Sequence, residues 1–266
     1  SLLQPKVVNM DIEIFHPKYT NKKNETVSNN GDIIISEGSF VEWEIKLKNS
    51  DKYLFLLDNK VIEAGNKKIL TVKKQILRDE KYSIITSNSN SLSDTLVYSI
   101  QVIKDAFPKI NLEKNFDTLS NNYLYNGVVE DDYAINKLEF HYEYKNQDST
   151  IKVVDKIIIE SGSFETFLHS FNFNNIKANP GETINYYFKV WDNDGINGSK
   201  FSISQKYIYK ESSIDDLIIR KNIENEKIKS GLNQSIMLAE EIQKDIKKLN
   251  KEIIQKNKIG WQDKKK

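Results

Sequence analysis

Two immunoglobulin-like β-sandwiches in tandem, followed by a long C-terminal α-helix, is the mainly β fold class that this sequence predicts. Three observations carry it. Short apolar runs recur about every 8–15 residues through the first 210 positions, with turn residues between them and no helical period. The pattern restarts once, after Asp105-Ala106-Phe107-Pro108. From Ser212 onward the apolar spacing changes to steps of three and four. The expected units are therefore residues 1–104, 105–211 and 212–266.

In the first unit, Lys6–Ile14 opens as a strand, broken by His16-Pro17-Lys18-Tyr19-Thr20. Residues 21–31 are rich in Asn, Lys and Ser and end in Gly31, which reads as a loop. Asp32–Ile35 is a short apolar run. Val41, Trp43, Ile45 and Leu47 then alternate with Glu42, Glu44 and Lys46, the mark of a half-buried strand. Tyr53–Leu57, Lys68–Ile76, Tyr82–Thr86 and Leu96–Val102 complete the set, separated by Asn49-Ser50-Asp51, Asp58-Asn59 and Arg78-Asp79-Glu80. Tyr82 suits the tyrosine corner of such sandwiches, or an ordinary core position.

In the second unit seven strands are expected, at Lys109–Glu113, Tyr123–Glu130, Asn136–Tyr144, Ile151–Ile159, Phe164–Phe171, Thr183–Trp191 and Ser199–Tyr209. Leu138, Phe140, Tyr142 and Tyr144 form one alternating face, and Ile184, Tyr186, Phe188 and Val190 another. Asn179-Pro180-Gly181-Glu182 is the turn before the sixth strand. The four-residue connector, stiffened by Pro108, reaches at most about 14 Å. It predicts that the two sandwiches meet at a preferred angle, with Phe107 available to bury between them.

Ser213 with Asp216 three positions on is a variant capping box and starts the helix. From Leu232 to Ile253 the apolar residues follow a coiled-coil seam. Gly231 is its weak point. A continuous helix over 213–259 would be about 70 Å long, too long for a sandwich to cover. It is expected to bind a protein partner or to self-associate. The Lys-rich stretch 256–266 could touch anionic lipid, but its interleaved acids favour a solvated face.

Charge and composition exclude several classes. With 39 Lys+Arg against 38 Asp+Glu the net charge is +1, and only Arg78 and Arg220 are arginines. A nucleic-acid reader built without Arg is not expected. No cysteine means no disulfide framework, no thiolate zinc site and no Cys nucleophile. His16, His141 and His169 are scattered, and no nucleophile elbow, zinc motif or phosphate loop occurs. The expectation is a non-enzymatic chain without cofactor. Calcium is the sharpest alternative, because Asp131 and Asp132 in one loop, Asp192 and Asp194 in another and Asp105 in the connector converge at one end of the second sandwich. The competing reading is that these residues form Asx turns. Such carboxylates would repel unless paired with Lys or a cation. Trp43, Tyr142, Tyr186, Phe188 and Trp191 could offer an aromatic platform to a sugar, although their alternation favours the core.

Several segments carry a family resemblance. They are Gly127-Val128-Val129-Glu130-Asp131-Asp132-Tyr133-Ala134-Ile135-Asn136-Lys137-Leu138, Pro180-Gly181-Glu182, Tyr186-Tyr187-Phe188-Lys189-Val190-Trp191-Asp192-Asn193-Asp194-Gly195, Asn197-Gly198-Ser199-Lys200 and Gly260-Trp261-Gln262-Asp263-Lys264-Lys265-Lys266. This series resembles the periplasmic region of a large uncharacterised bacterial membrane-protein family, known only as a domain of unknown function. The likeness is best over 105–266. Pro17-Lys18-Tyr19-Thr20 and Gly38-Ser39-Phe40-Val41-Glu42-Trp43 match more loosely, and Ala134 stands where the family has Gly. The resemblance implies an inner-membrane anchor, tandem immunoglobulin-like domains, a long Lys/Gln/Glu-rich helix and a place in the cell envelope. It implies no chemistry. The chain starts without Met and stops within charged helical sequence, as expected of a segment of a longer protein. The favoured function is a periplasmic scaffold or interaction segment; the alternative is a ligand-binding module for envelope glycan or peptide.

Overall fold

The computed structural model describes residues 3–90, 92–146 and 149–263. The first sandwich runs β1 (Lys6–Phe15), β2 (Glu25–Ser28), β3 (Ile33–Ser36), β4 (Phe40–Lys48), β5 (Lys52–Leu57), β6 (Lys60–Gly65), β7 (Ile69–Gln75), β8 (Glu80–Ser87) and β9 (Ser93–Ile103). One sheet has the order β2-β1-β4-β7 and the other β3-β9-β8-β5-β6. All pairings are antiparallel except β3 with β9, which is parallel. The alternating residues of β4 face inward as expected: Val41, Trp43 and Ile45 are fully buried. Trp43, Phe55 and Tyr82 form the aromatic centre, with ring centroids 5.1 to 5.6 Å apart.

Three local expectations are corrected here. Glu25–Ser28, read as loop, is an edge strand that pairs with β1 and sets Val27 opposite Ile12. An edge strand needs only backbone partners, so its polar composition hid it. Lys60–Gly65 is a further edge strand, paired with β5. Tyr82 is a core residue rather than a corner: its hydroxyl donates to Gly31 O at 2.6 Å, far back along the chain and not to nearby backbone.

The second sandwich contains β10 (Lys109–Asp117), β11 (Asn122–Glu130), β12 (Ile135–Asn146), β13 (Ser149–Ile157), β14 (Phe164–Phe171), β15 (Thr183–Asp192), β16 (Phe201–Ile203) and β17 (Tyr207–Lys210). Its sheets are β10-β11-β14 and β13-β12-β15-β16, with β17 also paired to β15. The expected last strand is thus split. Ser204 sits at the break, where its backbone N–H donates to Phe188 O and its hydroxyl accepts from Phe188 N, at 2.9 and 3.0 Å. The core is aromatic: Tyr125, Phe140, Phe173, Tyr186 and Phe188 are all at most 1% exposed.

By internal contacts the chain forms two compact units. One comprises residues 1–143, 150–177 and 185–209, and so holds both sandwiches; the other comprises 144–149, 178–184 and 210–266. In the second unit, Pro180 and Gly181 occupy the middle of a tight turn closed by Glu182 N on Asn179 O, with Gly181 at φ +82°. Glu211 N donates to Glu182 O and fixes the approach to the helix. Ser213 and Asp216 then cap reciprocally, as the sequence predicts: Asp216 N donates to Ser213 Oγ and Ser213 N to Asp216 Oδ2, both at 3.1 Å. The helix α1 (Ile214–Asp263) runs 50 residues without interruption at Gly231, about 75 Å. Side chains beyond Ile254, which include the Lys-rich stretch, lie outside the described residues. No described helix is long and apolar enough to cross a membrane.

Candidate functional site

The residues singled out as possible cation ligands lie where the two sandwiches meet. Asp192 ends β15, and Asp194 belongs to the loop that leaves it. Asp192 Oδ1 accepts from Lys200 N (2.7 Å) and Asp194 N (3.2 Å). Asp194 Oδ1 accepts from Ile196 N (2.7 Å) and Asn197 N (3.1 Å). In the turn between β11 and β12, Asp131 Oδ2 accepts from Tyr133 N and Ala134 N at 3.1 and 3.0 Å. Asp132 Oδ2 accepts from Ala106 N of the connector at 3.3 Å. The Asx turns of the simpler reading are therefore present.

A cation is present as well, and it belongs to the protein. Lys200 Nζ lies 2.6 Å from Asp105 Oδ1, 2.8 Å from Asp192 Oδ2 and 3.0 Å from Asp194 Oδ2. The three carboxylates are almost wholly withdrawn from water, with side-chain exposures of 2%, 0% and 0%. Asp105 Oδ1 and Asp194 Oδ2 accept hydrogen bonds from the ammonium, and Asp192 Oδ2 stands beside it as a third ion-pair contact. Burial alone would lower the Lys200 amine, but the three carboxylates outweigh it and push it above its ordinary range. Asp105 is raised by burial, against the opposing pull of Lys200. Burial also raises Asp131 to about 6, with the nearby charges of Asp132 and Asp105 adding to the effect. The structure thus brings Asp105, Asp192 and Asp194 together around Lys200, while Asp131 and Asp132 shape the neighbouring turn. Among the described residues, no group of three or more His, Cys, Asp or Glu is arranged to hold a metal ion.

The joint is closed by groups the sequence reading did not single out. Tyr19 and Tyr133 meet edge to face at 5.5 Å. Tyr133 hydroxyl donates to Ser36 Oγ (3.3 Å), and Lys22 Nζ donates to the same oxygen (2.9 Å). Asn193 Nδ2 donates to Tyr19 O at 3.0 Å. Ile196 packs on Gly38, where an added Cβ would lie 2.6 Å from the isoleucine methyl; φ at Gly38 is +81°. A side chain is excluded there on both counts. Phe107, expected to bury between the sandwiches, is instead 62% exposed. The tyrosines and Ile196 take its place.

Two other constellations emerge from the fold. Ser39 Oγ lies 3.2 Å from His16 Nδ1, and His16 Nε2 lies 3.2 Å from Glu25 Oε1. The order matches a nucleophile, base and orienting acid. Ser39 is fully buried, however, and its hydroxyl donates to Ser36 O at 2.7 Å. That proton is engaged and the oxygen is closed to solvent, so the group ties β1, β2 and the β3–β4 turn together. On the outer face of β12 and β15, Glu139 accepts from His141 Nε2 (3.0 Å) and Trp191 Nε1 (3.2 Å) and pairs with Lys137 (3.0 Å). Burial would raise the Glu139 carboxyl, but these donors hold it down at about 2. His141 stacks on Tyr187 at 5.0 Å beside a groove of about 590 Å³ bordered by Lys152, Val154, Lys206 and Ile208.

Of the five candidate platform aromatics, Trp43, Tyr186 and Phe188 are core. Tyr142 is half-buried, and Trp191 lies on the outer face with the β12 network. His169 is half-buried between Phe140 and Phe171, with its Nε2 shut off from solvent, and burial lowers its imidazole below the ordinary range.

No family model and no curated protein matches this chain. Among solved structures, it is similar to the fibronectin(III)-like modules of Clostridium thermocellum CbhA, with 12% identity, 70% of this chain and 90% of that one covered, and a TM-score of 0.27. It is also similar to dimeric latent PorU from Porphyromonas gingivalis (9% identity, 80% of this chain, 20% of that one, TM-score 0.26) and to bovine butyrophilin (8%, 73%, 98%, 0.24). The chain spans about a fifth of the PorU structure. The fold assignment rests on the sheet orders and register given above.

Proposed function

We propose that this chain is a non-enzymatic interaction and spacing segment of a bacterial cell-envelope protein, with α1 as its binding element. The observation that carries this reading is the state of the helix surface. Every described residue from Ile214 to Ile254 is exposed, including Ile218, Leu232, Ile242, Ile246, Leu249 and Ile253. Contiguous apolar surface on that scale marks an interaction site. The clamped joint supports the spacing role, because it leaves little freedom at the four-residue connector. The periplasmic location and the membrane anchor come from the family resemblance and belong to the same proposal. The test compares the full chain with an Ile242→Glu/Ile246→Glu double variant, by hydrodynamic size and by the proteins that co-purify. Loss of association in the variant is the expected outcome. Identical size and identical co-purifying proteins would overturn it.

A second reading, a sugar- or peptide-binding module, draws on the groove beside the His141–Tyr187 stack, where a half-buried ring pair lies between exposed lysines, Lys152 and Lys206. It requires saturable binding of an oligosaccharide or peptide that Tyr187→Ala abolishes and the helix double variant leaves unchanged.

A further inference from the structure

We infer that α1 pairs with α1 of a second copy of this chain, in parallel and in register, as a two-stranded coiled coil. This rests on the reading of α1 as the binding element and names its partner. Setting Ala239, Ile246 and Ile253 at heptad position a places Ile228, Ser235, Ile242 and Leu249 at d. Leu232, Ile242, Ile246, Leu249 and Ile253 are each more than half exposed. Over Ala239 the surface dips into a depression of about 450 Å³ bordered by Ile236, Ile242 and Ile246. It is a shallow, open depression in which a side chain of a facing helix can seat.

Three features select a second copy in parallel. In-register pairing sets Ala239 on Ala239 and Ser235 on Ser235, so small residues coincide and the backbones can close on each other. Two heptads before Ala239, Asn225 also falls at a, where it meets its own counterpart, amide to amide. A polar Asn at one a position is the device that fixes register and favours two strands. Any antiparallel alignment that keeps Leu232–Ile253 paired leaves Asn225 without that counterpart, and a buried amide without a partner is costly. Finally, Glu224 at g faces Lys229 at e of the next heptad on the other strand, a complementary pair in the parallel arrangement.

The full chain tests this by sedimentation equilibrium and by cross-linking. The expected mass is twice the 30.9 kDa of one chain, with Ile242→Glu weakening the dimer ~100-fold or more through a charge in the seam. Because the chain has no cysteine, Leu249→Cys gives a clean readout: a parallel pair sets the two thiols across the seam, and a disulfide-linked dimer forms on oxidation. Asn225→Ile is expected to keep the association but admit higher oligomers. A monomer at about 0.5 mM overturns self-pairing. If α1 then captures a different protein in a manner lost in Ile242→Glu, the functional reading stands without this inference. A dimer that Ile242→Glu leaves intact overturns the seam. A dimer without the Leu249→Cys disulfide overturns the parallel register.

Discussion

The two sandwiches share a strand plan and differ in what polar groups they bury. The first encloses Thr20, Ser36, Ser39 and Thr86, all hydroxyls, around an Ile-rich core. The second encloses one hydroxyl, Ser204, but also Glu139, Asp192 and Asp194, with His169 set among its aromatic rings. Hydroxyls can satisfy themselves on nearby carbonyls, as Ser39 does on Ser36 O. Buried carboxylates need N–H or ammonium donors instead, as Asp194 finds in Ile196 N, Asn197 N and Lys200 Nζ. The first sandwich is therefore held mainly by apolar packing, while the second depends on a few specific charge contacts. Those contacts sit at the joint and on the outer face of β12 and β15.

The largest expected effect follows from removing the charge at the centre of the joint. Lys200→Met leaves Asp105, Asp192 and Asp194 buried without a cation, and breaking a buried pair in this way costs ~3–5 kcal/mol. Urea unfolding should show a lower midpoint and separate transitions for the two sandwiches. Asp105→Asn in the Lys200→Met background should recover part of the loss, because it removes one of the stranded charges. A Lys200→Met chain as stable as the parent would end the contrast drawn above.

This joint also marks how far the sequence could be read. The strands of both sandwiches are legible because alternation in β4 and β15 is a local signal. The capping box at Ser213 is legible for the same reason. The carboxylates were found, and so was their need of a Lys or a cation. The identity of the cation was not, since Lys200 comes from the same loop as Asp194 while Asp105 lies 95 positions away. Only the fold places them together. Phe107 failed for the opposite reason: its position in the connector looked decisive, yet Tyr19 and Tyr133 from two distant turns fill the space first. The Ser39–His16–Glu25 group spans β2, a strand with no apolar signature, and so carried no local sign at all.

A smaller effect separates the sandwiches by pH. Burial holds the His169 imidazole below its ordinary value, and its Nε2 has no hydrogen-bond partner. The folded state thus keeps the ring neutral where the unfolded chain protonates it. Its contribution is intact above the unfolded value of about 6.5 and is lost as pH falls below that, toward the lower folded value. His169→Phe should leave stability at pH 8 unchanged or raised, because it removes an unsatisfied buried nitrogen among Phe140, Phe171 and Phe188. It should also flatten the decline between pH 6.5 and 5 relative to the parent. A variant with the parent's slope would show that the acid sensitivity arises elsewhere.

The smallest effect tests the first sandwich alone. Ile84 is fully buried in β8, opposite Phe55 and Leu96 in the neighbouring strands. Ile84→Val removes one methyl group from a packed apolar site and should cost ~0.5–1.5 kcal/mol. Its strand neighbours Phe55 and Leu96 are apolar, and so is the buried cluster it belongs to. The cost should therefore be a constant offset from pH 8 down to pH 5, without the slope that His169 gives the second sandwich. Hydrogen exchange at the amides of β4 and β8 reads this directly, since their protection reports the opening of the first sandwich. An offset that grows on acidification would mean that the charge contacts of the second sandwich and the joint reach into the first, and that the two behave as one cooperative body.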